Sequence, residues 1–241
     1  MADTLLALDS VHTHIGQYHI VQGVDLVVPT GGVTMLLGRN GAGKTTTLRT
    51  IMGLWPPSRG SITFAGKPIG GLAPPDIARR GIAYVPEQMA VFSDLTVAEN
   101  MTLAALAGPP EQARLDWIFG FFPALKKFWR SPAGVLSGGQ KQMLAIARAI
   151  VEPRQLLLID EPTKGIAPAI IESMIGAFLE LKRTGTTVLL VEQNFRFASA
   201  LGDTVAVMDD GRIVHTGDMA ALAADPALQS RLLGFSLDAH Q

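Results

Sequence analysis

Val33-Thr34-Met35-Leu36-Leu37-Gly38-Arg39-Asn40-Gly41-Ala42-Gly43-Lys44-Thr45-Thr46 is the stretch from which the rest of this chain can be read. Its first five residues are an apolar run of strand length, and a Gly-rich loop follows at once. Helical spacing then holds from Thr47 to Leu54, until Trp55-Pro56-Pro57 stops it. Strand, loop and helix in that order present successive backbone amides at a helix N-terminus, where the N–H groups and the helix dipole favour an anion. The pattern GxxxxGKT at 38–45 adds an ammonium, Lys44, that can reach β- and γ-phosphates, and a hydroxyl, Thr45, that can ligate Mg²⁺. Gly38, Arg39, Asn40, Gly41, Ala42, Gly43, Lys44, Thr45 and Thr46 are therefore expected to cradle the phosphates of a nucleotide.

A phosphate loop needs an acidic counterpart, and Leu156-Leu157-Leu158-Ile159-Asp160-Glu161 supplies one. An apolar strand can hold Asp160 at its exposed end to orient a Mg²⁺ shell, and Glu161 is then placed to polarise an attacking water. The competing reading is a buried strand that ends in two solvated acids.

Working outward, the 241 residues suit one large domain or a domain with an insertion. With 48% apolar and 17% charged residues the chain has ample material for a core, which excludes global disorder. Twenty Lys+Arg against 21 Asp+Glu give a net charge of -1, so no broad polyanion surface and no nucleic-acid partner is expected. The absence of cysteine excludes disulfides, thiolate nucleophiles and Cys-ligated metals. Met1 to Ser10 lacks the basic region of a signal peptide, and no apolar run reaches the roughly 20 residues of a membrane span. The cytoplasm is the expected compartment, with any membrane link made through a partner.

Val21 to Val28 alternates as a strand, and residues 61–85 read as a small β region around Gly66 and a Pro74-Pro75 turn. Residues 97–107 and 111–129 read as helices parted by Gly108-Pro109-Pro110. After Ser137 come a helix from Gln140 to Ile150, the strand Leu156 to Asp160, a helix over 168–183 and the strand Thr186 to Val191. Strands that alternate with helices imply a mostly parallel sheet covered by helices. Val205 to Met208 and Arg212 to Val214 should close it as a β pair across Asp209-Asp210-Gly211, and the tail from Met219 to Gln241 reads as helical.

Leu136-Ser137-Gly138-Gly139-Gln140 is more selective, and with it the chain resembles the ATP-binding cassette (ABC) ATPases over nearly its whole length. The resemblance implies an α/β fold, a P-loop NTPase of the ABC ATPase type with an antiparallel β subdomain and a helical signature subdomain. It further implies a single domain over 1–241 with the helical subdomain at roughly 90 to 150. ATP and Mg²⁺ would be the cofactors, with Thr45 and Asp160 on the metal and Glu161 as the water-polarising residue. Ser137, Gly138, Gly139 and Gln140 would complete the ATP site of a second subunit in a head-to-tail dimer. A plain helix cap at Ser137 is the alternative.

Several positions depart from the family pattern. The residue after Pro86 is Glu87 where the family has Gln, and Gln88 follows one place later, so either serves the Q-loop role of sensing the metal and water region. Gln193 stands where many relatives place a His; its amide can donate to phosphate but carries no imidazolium charge. The usual base-stacking aromatic is replaced by Ile15 before Gly16, leaving Ile15, His14 and Tyr18 as candidates for adenine contact. Thr163-Lys164-Gly165-Ile166 resembles the D-loop at the dimer interface. The loose spacing of His12, His14 and His19 argues against a metal site. Phe119, Phe121, Phe122, Phe128 and Trp129, interleaved with Lys126, Lys127 and Arg130, fit either a membrane-surface helix or, as expected for most of these rings, packing within the helical subdomain.

Within the family, Pro86-Glu87, LTVAEN at 95–100, LSGGQKQMLAIARA at 136–149, the run Glu161 to Pro168 and VEQN at 191–194 resemble the second ATPase of importers for branched-chain amino acids and their urea or amide relatives. The implied partners are transmembrane permeases, a second ABC ATPase or another copy of this chain, and indirectly a periplasmic solute-binding protein. The implied location is the cytoplasmic face of the bacterial inner membrane, peripheral through the permeases. An exporter ATPase and a non-transport ABC module are the alternatives, and nothing in the ATP site encodes the solute.

Overall fold

The computed structural model describes residues 3–105 and 107–234. Two sheets share the work. The smaller holds β1 (Thr4–Ile15), β2 (Tyr18–Pro29), β4 (Arg59–Phe64) and β5 (Lys67–Pro68) in the order β2-β1-β4-β5, antiparallel throughout. The larger holds β3 (Val33–Leu37), β6 (Ile82–Val85), β7 (Leu156–Asp160), β8 (Thr187–Glu192), β9 (Thr204–Asp209) and β10 (Arg212–Asp218) in the order β10-β9-β3-β8-β7-β6. Its neighbours run parallel except for the β9–β10 hairpin. The architecture is α/β: a mostly parallel sheet with helices, beside a separate antiparallel sheet.

The central strands β3, β7 and β8 are buried at every position, which is why they read as unbroken apolar runs. Their side chains still alternate. Met35, Leu157, Ile159, Val188 and Leu190 enter one core with the helices, while Leu36, Leu156, Leu158, Leu189 and Val191 enter a second core with the antiparallel sheet. The first core packs α3 (Val97–Ala104), α4 (Gln112–Phe121), α5 (Pro123–Lys127), α6 (Gly138–Ala149), α7 (Pro168–Arg183), α8 (Phe195–Leu201) and α9 (Met219–Ala223). The second packs α1 (Lys44–Ile51) and α2 (Pro74–Arg79).

Most predicted elements appear within a few residues of their expected ends, and four differ for local reasons. The first helix begins at Lys44 rather than Thr47, because the phosphate loop itself closes its first turn, and it ends at Ile51. Pro74-Pro75 opens α2 instead of turning a β region; Pro at the first helical positions needs no N–H partner. The segment that follows, β6, leaves the small sheet and pairs with β7 in the large one. The helix expected over 111–129 breaks at Phe122, where Pro123 cannot extend α4 and starts α5. The helical tail is present as α9 and α10 (Pro226–Leu233), and residues 235–241 of that expectation lie outside the described residues. The aromatic cluster is packing: Phe122 is fully buried, Trp117 meets Phe121 edge-on at 4.6 Å and Phe119 meets Trp129 at 5.3 Å.

Leu158, fully buried in the middle of β7, seats the strand that ends in the acidic pair. Leu158→Ala should therefore cost about 2–5 kcal/mol of unfolding free energy, read as a lowered urea midpoint at unchanged slope.

Candidate functional site

Four strands that are neighbours in the large sheet, in the order β3-β8-β7-β6, release their chains at one rim. Leu37 lies beside Glu192 and Val191 beside Asp160, so the register brings Gly38, Gln193 and Glu161 to adjacent places just past the strand ends. Glu87 follows two residues after β6 on the same rim. The carboxyl ends of parallel strands are where open α/β sheets bind ligands.

The loop after β3 depends on its glycines. Gly38 has φ 151, and a Cβ there would fall 2.2 Å from the Met208 carbonyl oxygen; Gly43, at φ 105, caps α1. The fold thus accepts no side chain at Gly38. Lys44, 4% exposed, donates to the carbonyl oxygens of Gly38 at 2.8 Å and Arg39 at 3.1 Å, and its Nζ stands 3.4 Å from Glu161 Oε1. Thr45 Oγ1 donates to Asp160 Oδ1 at 3.0 Å, and the Tyr84 hydroxyl donates to Asp160 Oδ2 at 3.3 Å. The two motifs are in direct contact.

Glu161 has φ 45, a left-handed conformation rare for a residue with a side chain, and its N–H donates to Val191 O at 2.9 Å. That bend turns its carboxylate toward Lys44. Gln193 Nε2 donates to Glu161 Oε1 and to Asn40 Oδ1, both at 2.6 Å, so the amide ties the acid to the phosphate loop. Behind it Glu192, 2% exposed, accepts the backbone N–H groups of Thr163, Gln193 and Asn194. Burial pushes the Glu192 carboxyl up, and those hydrogen bonds oppose the shift.

A cavity of about 360 Å³ opens over these groups, lined among others by Ile15, Ile20, Gly43, Lys44, Thr45 and Glu161. Thr46, Asn40, Gly41, Glu87 and Lys164 also line it, whereas Tyr18, 64% exposed, and Gln88 do not. Of the aliphatic and aromatic candidates for base contact, the structure brings Ile15 to the cavity. A larger groove of about 770 Å³ lies between β2 and β10, away from the acids and the phosphate loop.

A family model described as "ABC transporter" matches residues 21–164. The chain belongs to the ABC transporter family. Among its relatives, the high-affinity branched-chain amino acid transport ATP-binding protein BraG of Pseudomonas aeruginosa is 40% identical over 95% of this chain and 100% of its own. A probable branched-chain amino acid transport ATP-binding protein, LivF of Archaeoglobus fulgidus, is 35% identical over 90% of this chain and 94% of its own. A solved nucleotide-free ATP-binding cassette from an ABC transporter superposes with a TM-score of 0.82 at 25% identity, covering 97% of this chain and 100% of that one. Other relatives are ATP-binding proteins of ribose, methionine and Fe(3+) import. The chain is an ABC ATPase that binds and hydrolyses ATP, and family membership implies permease partners. Among the described residues no helix is long and apolar enough to cross a membrane.

The signature stands apart from this cavity. Ser137 and Gly138 are exposed at the start of α6, where Ser137 Oγ accepts the Gln140 N–H at 3.3 Å and Gln140 Oε1 accepts the Ser137 N–H at 2.9 Å. Gly139 is buried, and Ile170 on α7 packs so close that a Cβ there would fall 2.8 Å from its Cγ2. The capping box occupies the Gln140 carbonyl and leaves the Ser137 face open to solvent. Tyr84, Ile20 and Glu192 were not legible as site residues: each sits in an ordinary strand pattern, and only the sheet order reveals its neighbours.

Burial pushes the Asp160 carboxyl up to about 6; the Thr45 hydrogen bond opposes that and the charge of Glu161 adds to it. Burial and the Asp160 charge likewise push the Tyr84 phenol up to about 12. The folded protein thus holds the Asp160 proton more tightly than the unfolded chain, and wild type loses stability as pH rises from the unfolded value through about 6. Asp160→Asn does not titrate there. In metal-free, nucleotide-free buffer its stability relative to wild type should grow by on the order of 2 kcal/mol between about pH 4 and pH 6 and stay level above. Denaturant titrations across that range measure it, and a pH-independent difference would remove burial as the cause.

Proposed function

We propose that this chain is the ATP-hydrolysing subunit of a membrane importer for branched-chain amino acids or related small polar solutes. The observation that carries this reading is the 40% identity to BraG across the whole of that protein. The chain then works as one ATPase domain with a helical subdomain at roughly 90 to 150, on the cytoplasmic face of the inner membrane, held there by its permeases.

In this reading the amides of the 38–46 loop and the Lys44 ammonium bind the phosphates of ATP, and Ile15 with Ile20 offers an apolar wall to the base. The donor chemistry at Thr45 and Asp160 fits Mg²⁺: a hydroxyl that lines the cavity and a buried carboxylate 3.0 Å from it. Among the described residues no group of three His, Cys, Asp or Glu forms a full cage, which suits an ion that keeps waters and phosphate oxygens as ligands. Thr45 and Asp160 would hold Mg²⁺, which would supply charge neutralisation to the bound phosphates. Glu161 polarises the attacking water, with Gln193 fixing its carboxylate against Asn40. Ser137 and the amides of Gly138 and Gly139 face the γ-phosphate of a partner ATPase, so two copies, or this chain and a second ATPase, are needed for complete sites. ATP binding closes the pair and hydrolysis reopens it, which drives alternating access in the permeases.

Reconstitution into vesicles with its permeases, a partner ATPase and a solute-binding protein tests the reading. ATP-dependent uptake of leucine, isoleucine or valine is expected, with Glu161→Gln reducing uptake and ATP turnover at least a hundredfold while ATP still binds. Uptake of none of the amino acids, urea or amides tried would defeat the importer assignment. Wild-type turnover in E161Q would instead defeat the role given to Glu161.

A further inference from the structure

Lys164 and Glu87 form a charge pair at the mouth of the ATP cavity. Lys164 Nζ lies 2.6 Å from Glu87 Oε1 and 3.6 Å from Glu161 Oε2, and all three side chains line the cavity with Lys44 and Thr45. Glu87 follows β6 and Lys164 follows β7, two neighbours in the sheet, so the pair spans the rim from one strand end to the next. Among the described lining residues only Lys44 and Lys164 carry positive charge, against Glu87 and Glu161. A polyanion must enter this space. An uncompensated carboxylate at position 87 would repel it. The same contacts, Glu87 first, hold the Lys164 ammonium in its charged form.

The backbone carrying Glu87 is also held at its far end. Met89 and Ala90 have φ 61 and 50, two successive side-chain-bearing residues in the left-handed region, and the Arg148 guanidinium of α6 donates to the Ala90 carbonyl. Strained residues persist where neighbours fix them. The Lys164 bridge at one end and Arg148 at the other fix this loop between the acidic strand and the signature helix.

We propose that Lys164 is a positioning residue for ATP hydrolysis, required because position 87 is an acid: it draws the Glu87 carboxylate away from the γ-phosphate position. The inference rests on the proposed role of Glu161 and adds a dependence between two residues that the role itself does not contain.

Steady-state Mg²⁺-dependent ATP hydrolysis by the purified full chain tests it with Lys164→Met, Lys164→Arg, Glu87→Gln and the double variant K164M/E87Q. Lys164 is half exposed, so its replacement leaves the core untouched. K164M should lower kcat at least fivefold with KM within threefold of wild type, and K164R should recover at least half of the loss. In the E87Q background the same K164M change should alter kcat less than twofold. An equal loss in both backgrounds, a loss confined to KM, or wild-type kcat in K164M would overturn the proposal. E161Q run alongside separates the two readings: normal turnover in E161Q removes Glu161 as the base, while the comparison of backgrounds still reports whether Lys164 acts through Glu87.

Discussion

The hydrogen bond from Thr45 Oγ1 to Asp160 Oδ1, 3.0 Å long, joins the first turn of the loop helix to the end of a central strand. It is the point at which the glycine loop and the acidic strand become one site. For the bond to form, β3 and β7 must flank β8 with their ends level, and the register pairs Leu37 with Glu192 and Asp160 with Val191. That register is held by apolar side chains on both faces of the sheet, since a slip of one residue would send Leu157 and Leu158 into each other's cores. Two cores therefore serve one rim.

The rim carries a cost that the fold absorbs. Lys44, Asp160, Glu161 and Glu192 are all almost fully buried, and charges placed so are tolerated only when paired and hydrogen-bonded. Each has its partners: loop carbonyls and Glu161 for Lys44, two hydroxyls for Asp160, an amide and two ammoniums for Glu161, three backbone N–H groups for Glu192. The left-handed backbone at Glu161 fits the same pattern of local strain held by its surroundings at a functional rim. Lys44 and Thr45 line the cavity beside these buried acids.

Much of this was legible in the sequence because the chemistry there is local. The loop at 38–46, the strand ending in Asp160-Glu161 and the cap at Ser137 each announce themselves by residue type and spacing, and the structure places them in the strand, loop and helix contexts expected. Pro74-Pro75 misled because Pro marks a helix start as readily as a turn, and nothing nearby decided between them. Gln193 and Glu87 were visible as departures from a pattern, yet their partners Asn40 and Lys164 are far away in the chain and meet them only through sheet order. Tyr84 was hidden for the same reason: β6 is an unremarkable four-residue strand until it pairs with β7. Long-range pairing is the part of the site that periodicity does not encode.

The central claim is that the Gly38–Thr46 loop, through Lys44, holds the phosphates of ATP against the acids of β7. Isothermal titration of the full chain with a non-hydrolysable ATP analogue and Mg²⁺, comparing wild type with Lys44→Ala, tests it directly. The account predicts saturable one-to-one binding to wild type and a loss of at least tenfold in affinity for K44A, with the fold retained by circular dichroism. Equal affinity in the two proteins would contradict it.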